Sequence, residues 1–214
     1  SQVRILFLAL TLGIYMFNTN DYYFWKGAVD KETCDKIINL HSTWKTGTVT
    51  DALHKDSEYR ETKRKSEVIF ATDRWLYDII LPYMETANKE AGWEYDIKSA
   101  ETIQITRYKK GGFYQWHKDG KSDNLSVYNK PSNPNVDGYV RKLSMSVILN
   151  NDFEGGDFEF EIDGKVESPK ENHNHSGDSG DVIVFPSYRK HRVTPITKGV
   201  RYSLICWFLG PPFK

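Results

Sequence analysis

With only two cysteines in 214 residues, Cys34 and Cys206, the chain has too few for a disulfide framework, and they lack metal-knuckle spacing. Both are expected as reduced, packed thiols, with the cytoplasm as the default compartment. The 8 prolines set against 14% aromatic residues argue against a disordered chain. Neither sign of charge is in excess. The 29 Lys plus Arg balance 29 Asp plus Glu, so no global field draws the chain to nucleic acid or an anionic membrane. There is also no apolar run of the roughly 20 residues that a membrane span needs, so no stable membrane insertion is expected. The longest candidate, Ile5 to Phe17, follows Arg4 and is shorter than that. It has signal-peptide length, but Asn18-Thr19-Asn20 offers no small-x-small cleavage site. Residues 1–17 are expected to be a leader or an over-extended N-terminus, with Met16 as a natural start. Secretion or anchoring, or a buried element, are the alternatives. Residues 18–214 then make one domain, long enough for a sizeable core.

Along the chain, hydrophobic periodicity changes once. Tyr22-Tyr23-Phe24 reads as a short strand, and Asp30 caps a helix expected to reach Trp44, with Cys34, Ile37, Ile38, His41 and Trp44 at helical spacing. Lys55 to Lys65 is dense in charge and reads as a solvated loop, and Val68 to Phe70 as a brief strand. Thr72 is expected to cap a second helix ending near Gly92, with Pro82 kinking or breaking it. From Ala100 onward the period is two: Ile103 to Tyr108, Leu143 to Leu149, Asp157 to Ile162 and Arg201 to Phe208 alternate, and Asp181 to Phe185 is a short apolar run. Helices followed by many strands indicate an α+β fold with an antiparallel sandwich or barrel as its second part. Two polar stretches, Lys121 to Gly138 and Lys170 to Gly180, interrupt it and read as long surface loops.

His117-Lys118-Asp119 carries the chemistry. In an extended segment residues two apart share a face, so an imidazole and a carboxylate converge on one point while Lys118 turns away. His-x-acid alone is a weak signal, and the chain contains a second copy, His54-Lys55-Asp56, in a charged non-periodic stretch that reads as surface. His173 and His175, flanked by Asn, Ser and Gly, read as a solvent loop. Downstream, Gly180 to Pro186 is a strand and stop, His191 opens a short strand, and Arg201 opens the last one, sharing a face with Ser203, Ile205 and Trp207. A hairpin turning near Ile196 is expected to bring His191 opposite Arg201. A planar guanidinium in a buried place binds a carboxylate through two parallel hydrogen bonds, and no acid of the chain is an obvious partner. That favours an external dicarboxylate, with the Tyr108 hydroxyl as a further donor. Two imidazoles and one carboxylate on one side of an octahedral ion leave three positions for a bidentate co-substrate and dioxygen.

As an ordered set these residues resemble the prolyl 4-hydroxylase-like branch of the Fe(II)/2-oxoglutarate dioxygenases. The matching pieces are Tyr108-x-x-Gly111-x-x-Tyr114-x-x-His117-x-Asp119, Arg141 opening the Leu-Ser-Met-Ser-Val-Ile-Leu strand, Glu154-Gly-Gly-Asp157, Gly180-Asp-x-x-x-Phe-Pro186, and His191-x-Val-x-Pro-x-x-x-Gly-x-Arg201 with Trp207 beyond it. The likeness covers residues 100–214 well and 22–95 in layout. It implies a double-stranded β-helix (jelly roll, cupin-like) over 100–214, with 18–99 as helical support packed on the major sheet. It also implies that His117, Asp119 and His191 bind Fe(II), and that Arg201 and Tyr108 hold the distal carboxylate of 2-oxoglutarate. Tyr114, Arg141 and Trp207 would be the catalytic-pocket residues facing co-substrate or substrate. The cofactors implied are Fe(II), 2-oxoglutarate and O2, with L-ascorbate as an accessory, and the reaction is hydroxylation coupled to decarboxylation to succinate and CO2. Arg201 stands where collagen-type members carry lysine and bacterial and phage-like members often use arginine, which puts an animal-type substrate choice in doubt.

The implied substrate is a protein or peptide. A free amino acid hydroxylase of the same superfamily and a non-catalytic cupin-like binding module are the alternatives. A nucleic-acid demethylase is disfavoured, because the Arg-x-Asn-x-x-x-x-x-Arg ending it resembles is absent and the net charge is zero.

Overall fold

The computed structural model describes residues 16–18, 21–40, 42–47, 62–120, 126–169 and 179–213. The two decoy motifs, His54 with Asp56 and His173 with His175, lie outside them. Strands β1 (Met16–Asn18) and β2 (Tyr23–Trp25) precede helix α1 (Lys31–Ile38). Strands β3 (Lys45–Thr46), β4 (Arg64–Lys65) and β5 (Glu67–Ala71) lead to helix α2 (Arg74–Glu90). Then come β6 (Ser99–Ala100), β7 (Ile103–Tyr108), β8 (Phe113–His117), β9 (Val140–Ile148), β10 (Phe153–Gly155) and β11 (Phe158–Ile162). Strands β12 (Lys165–Glu167), β13 (Val182–Pro186), β14 (His191–Val193), β15 (Ile196–Gly199) and β16 (Arg201–Gly210) complete the chain.

Nine strands form the major sheet in the order β1-β2-β13-β9-β16-β7-β5-β3, with β6 also on β16. Five form the minor sheet, β12-β11-β14-β8-β4, and β10 pairs with β15. The alternation of the sequence decides what each face of the major sheet meets. Ile103, Ile105, Met145, Val147, Leu204, Cys206 and Phe208 are buried in one cluster with Leu76, Ile80, Met84 and Ala87 of α2 and with Cys34 and Ile37 of α1. The alternate residues face the minor sheet, where Phe24, Ile183 and Phe185 join Phe158, Phe160 and Val193 in a second cluster. No helix among the described residues is long and apolar enough to cross a membrane.

Four local expectations need correction. Helix α1 stops at Ile38, because the Asn39 backbone N–H and side-chain amide both donate to the Asp35 carbonyl, at 3.1 and 2.8 Å, and close the last turn. Trp44 is instead packed edge-on against Tyr202, with Arg107 over its ring. Asp73, not Thr72, is the N-cap residue of α2. That helix runs unbroken through Pro82, which sits on the exposed side, where water can reach the Asp78 carbonyl that Pro82 leaves without a donor. The charged stretch ending at Lys65 is not all loop: Arg64 and Lys65 pair with Tyr114 and Phe113 at the edge of the minor sheet.

Gly180 ties the two halves together. Its carbonyl accepts from Val29 N at 3.1 Å, its φ is +90°, and a Cβ there would collide with the Val29 carbonyl oxygen. Left-handed strain and overlap then add. Gly180→Ala is expected to destabilise the fold by about 2–4 kcal/mol in chemical denaturation. A loss under half a kcal/mol would show that this junction yields freely.

Candidate active site

His117 ends β8, His191 begins β14, and the two are direct cross-strand partners in the minor sheet. Asp119 lies just beyond β8, where its backbone N–H donates to the Ser187 carbonyl at 2.9 Å. Its carboxylate lies 3.7 Å from His117 Nε2 and 3.6 Å from His191 Nε2. One donor atom from each of the three lies within 4.8 Å of the others. The Nδ1 of His117 faces the Gln115 carbonyl and that of His191 the Arg189 carbonyl, both at 2.8 Å. A carbonyl only accepts, so each ring carries its proton on Nδ1 and turns an Nε2 lone pair inward.

Aromatic rings hold these donors in place. Tyr114 stacks on His117 at 3.5 Å, while Phe185 and Phe158 lie 4.7 and 5.4 Å from His191. Burial, helped by neighbouring His191, pushes the His117 pKa down to about 3, so the ring is neutral at ordinary pH. Burial works against the Asp119 carboxylate, but His191, His117, Arg141 and a hydrogen bond from Ser144 outweigh it and hold its pKa below the usual carboxylate value. Ser144 in turn meets Ser187, Oγ to Oγ, at 2.9 Å. Two imidazoles and a carboxylate, tightly clustered and with each ring held through Nδ1 by a backbone carbonyl, are a donor set suited to a first-row divalent metal such as Fe(II).

Arg201 reaches the same cavity from the opposite sheet. The expected hairpin partnership with His191 does not exist, because β15 turns away to pair with β10 and β16 enters the major sheet between β9 and β7. Tyr108 is the cross-strand partner of Arg201 instead. The guanidinium is 1% exposed, its Nη1 donates to Ser203 Oγ at 3.1 Å, and its buried Nη2 has no partner among the described residues. Burial pulls its pKa down, opposed by Tyr108 and then Asp157. Gly156 makes room for it: a Cβ there would approach Arg201 Cδ to 3.0 Å. A buried guanidinium with an unused donor fits an incoming carboxylate.

Tyr114, Arg141 and Trp207 line the same cavity of about 830 Å³. Arg141 is held by Glu101 through Nε to Oε1 and Nη2 to Oε2, both 2.7 Å, and lies over the Trp207 ring at 3.9 Å. Burial opposes the Arg141 charge, but the Glu101 bonds outweigh it and keep its pKa above the ordinary guanidinium value. Tyr128 donates to the same Glu101 Oε1 at 3.0 Å, tying the stretch between β8 and β9 to the cavity wall. All eight residues picked from the sequence therefore meet around one cavity.

The sequence reading missed Glu101, Tyr128, Arg64 and Ser144. Only Ser144 left a signal, as a small polar residue among apolar ones in an alternating strand.

A family model described as the 2OG-Fe(II) oxygenase superfamily matches residues 103–209. A PKHD-type hydroxylase of Idiomarina loihiensis is 31% identical over 112 residues, covering 51% of this chain and 43% of the relative. One from Alteromonas mediterranea is 31% identical over 105 residues, covering 48% and 41%. The chain thus spans less than half the length of these relatives. Among solved structures, the viral collagen prolyl hydroxylase of Paramecium Bursaria Chlorella virus-1, in complex with 2OG, superposes with TM-score 0.58 at 19% identity, covering 88% of this chain and 96% of that one. The Pseudomonas putida prolyl-4-hydroxylase gives 0.59 at 16%, covering 89% and 92%. A prolyl hydroxylase of Trichoplax adhaerens, bound to a hypoxia inducible factor peptide, gives 0.61 at 15%, covering 89% and 84%. At these identities the likeness is one of fold, the double-stranded β-helix.

Two outcomes test the site. Asp119→Ala is expected to weaken Fe(II) or Co(II) binding by about 100-fold or more in titration calorimetry; wild-type affinity would remove Asp119 from the donor set. Glu101→Ala leaves Arg141 buried without its partner and is expected to cost about 3 kcal/mol of stability, with Glu101→Gln costing less. Equal denaturation midpoints for both variants and the parent would contradict that dependence.

Proposed function

The chain belongs to the 2OG-Fe(II) oxygenase superfamily, and from that premise we propose that it is a prolyl 4-hydroxylase-like enzyme acting on a protein or peptide. In the proposed reaction a substrate C–H bond becomes C–OH, one atom of O2 enters the product, and 2-oxoglutarate takes the other as it becomes succinate and CO2. The observation that carries the reading is the buried Arg201 donor without a partner, facing the cavity that also receives two Nε2 lone pairs and a carboxylate.

His117, Asp119 and His191 would hold Fe(II), and Arg201 with the Tyr108 hydroxyl would receive the distal carboxylate of 2-oxoglutarate. When bound, the iron and its co-substrate supply the oxidising chemistry. Asp119 serves as a ligand and not as a base, since its carboxylate is already directed at the two imidazoles. Phe158, Phe185 and Tyr114 keep water from the donors, and Glu101 fixes Arg141 over Trp207 so that the substrate side of the cavity keeps one shape. L-ascorbate belongs to the proposal as an accessory reductant. Both cysteines are buried free thiols, which accords with the proposed cytoplasmic location.

Incubation with Fe(II), 2-oxoglutarate and O2 is expected to form succinate, and proline-containing peptides are expected to gain one oxygen by mass spectrometry. No succinate under any condition favours a non-catalytic binding module; oxygen found only on free amino acids favours the small-molecule hydroxylase. Arg201→Ala is expected to weaken 2-oxoglutarate by about 30- to 1000-fold while leaving metal binding intact. Unchanged co-substrate affinity in calorimetry would contradict the role given to Arg201.

A further inference from the structure

The mouth of the cavity carries a charge pattern that neither the metal donors nor Arg201 uses. Arg64 on β4, Lys118 between the donors His117 and Asp119, and Lys130 in the stretch before β9 all line it. They come from three separate parts of the chain. Arg64 is 8% exposed, its Nε donates to Ser66 Oγ at 2.7 Å, and its guanidinium lies 4.8 Å over the Tyr114 ring. Because Tyr114 stacks on His117, this cation stands one ring away from the metal donors. Lys118 and Lys130 are exposed. None of the three meets a carboxylate of the described residues at ion-pair distance.

The acids of the cavity wall are already engaged. Among the described lining residues they are Glu101, held by Arg141 and Tyr128, and Asp119, held between the imidazoles. Among the described residues, a chain of zero formal charge thus presents three cations without acidic partners along this cavity. A nearly buried guanidinium that lacks a carboxylate is costly unless an acceptor arrives from outside.

We infer that the substrate is an acidic segment: an extended peptide whose carboxylate side chains flank the hydroxylated residue. Arg64 receives the nearest carboxylate, and Lys118 and Lys130 the outer ones. The inference rests on the hydroxylase reading above. A nucleic acid is also an anion, but three cations ringing one opening do not form the track a phosphate backbone follows.

The test uses the full chain with Mn(II) in place of iron and 2-oxoglutarate present. Labelled synthetic peptides centred on one proline and flanked by glutamate, serine or lysine are compared by fluorescence anisotropy. At about 50 mM salt the glutamate peptide is expected to bind about tenfold tighter than the serine peptide, with the lysine peptide weakest. At about 500 mM salt the advantage is expected to fall to within about threefold, because screening shortens the reach of the exposed lysines. The double variant Lys118→Glu with Lys130→Glu, at two exposed positions, is expected to invert the order. Arg64→Gln is expected to cut the glutamate peptide's affinity about tenfold and the serine peptide's far less.

Equal affinity for the glutamate and serine peptides overturns the inference, and so does a thymidine oligonucleotide that displaces the glutamate peptide more strongly than the unlabelled peptide does. Retained charge preference without any succinate formation sinks the hydroxylase reading instead. Succinate formation without charge preference sinks the acidic substrate alone.

Discussion

Strand β14 lies beside β8 with His191 opposite His117, and the rest of the centre depends on that pairing. Cross-strand neighbours on one face sit close enough for their side chains to meet, so two Nε2 atoms and the Asp119 carboxylate gather in a small volume. Each Nδ1 also lies against the backbone carbonyl two residues earlier in the chain, which settles the tautomer before any ligand binds. A slip by one residue would turn one imidazole to the far side of the minor sheet and dissolve the cluster.

The major sheet answers a different demand. One face must be apolar to hold α1 and α2; the other must carry polar groups into a largely water-free interior. Strict alternation in β9 and β16 serves both, with Leu204, Cys206 and Phe208 on one face and Arg201 and Ser203 on the other. A buried guanidinium is tolerable there because Ser203 satisfies one nitrogen and Gly156 leaves space for the side chain. The remaining donor stays available, so electrostatic cost and the proposed recognition of 2-oxoglutarate are two aspects of one arrangement.

Between these two sheets, charge is distributed unevenly. Glu101 compensates Arg141 completely and links the cavity wall to the stretch that carries Tyr128 and Lys130. Among the described residues no carboxylate compensates Arg64, Lys118 or Lys130 in this way. Arg141 is thus balanced inside the cavity while other lining cations are not, an uneven distribution that a net charge of zero conceals.

How much of this could be read from residues alone follows from what each signal depends on. Alternation is a local property, so β7, β9, β11 and β16 were legible to within three residues, and His-x-Asp on an extended segment already implied convergent donors. Helix ends and interruptions depend on local competition that a periodic pattern does not register: the Asn39 amide closes α1 early, and Pro82 on an exposed helix face does not break α2. Pairing across the chain was not legible. A short link between His191 and Arg201 looks like a hairpin, yet β15 joins β10 and sends the two residues into opposite sheets. Glu101 and Arg64 carry no sequence signal for the same reason, since a single charged residue acquires its partner only when distant strands meet. Residue types and spacing by themselves determined the chemistry that this chain can perform. The tertiary structure decided which faces oppose one another, because long-range pairing is fixed by packing of whole sheets and not by any short run of residues.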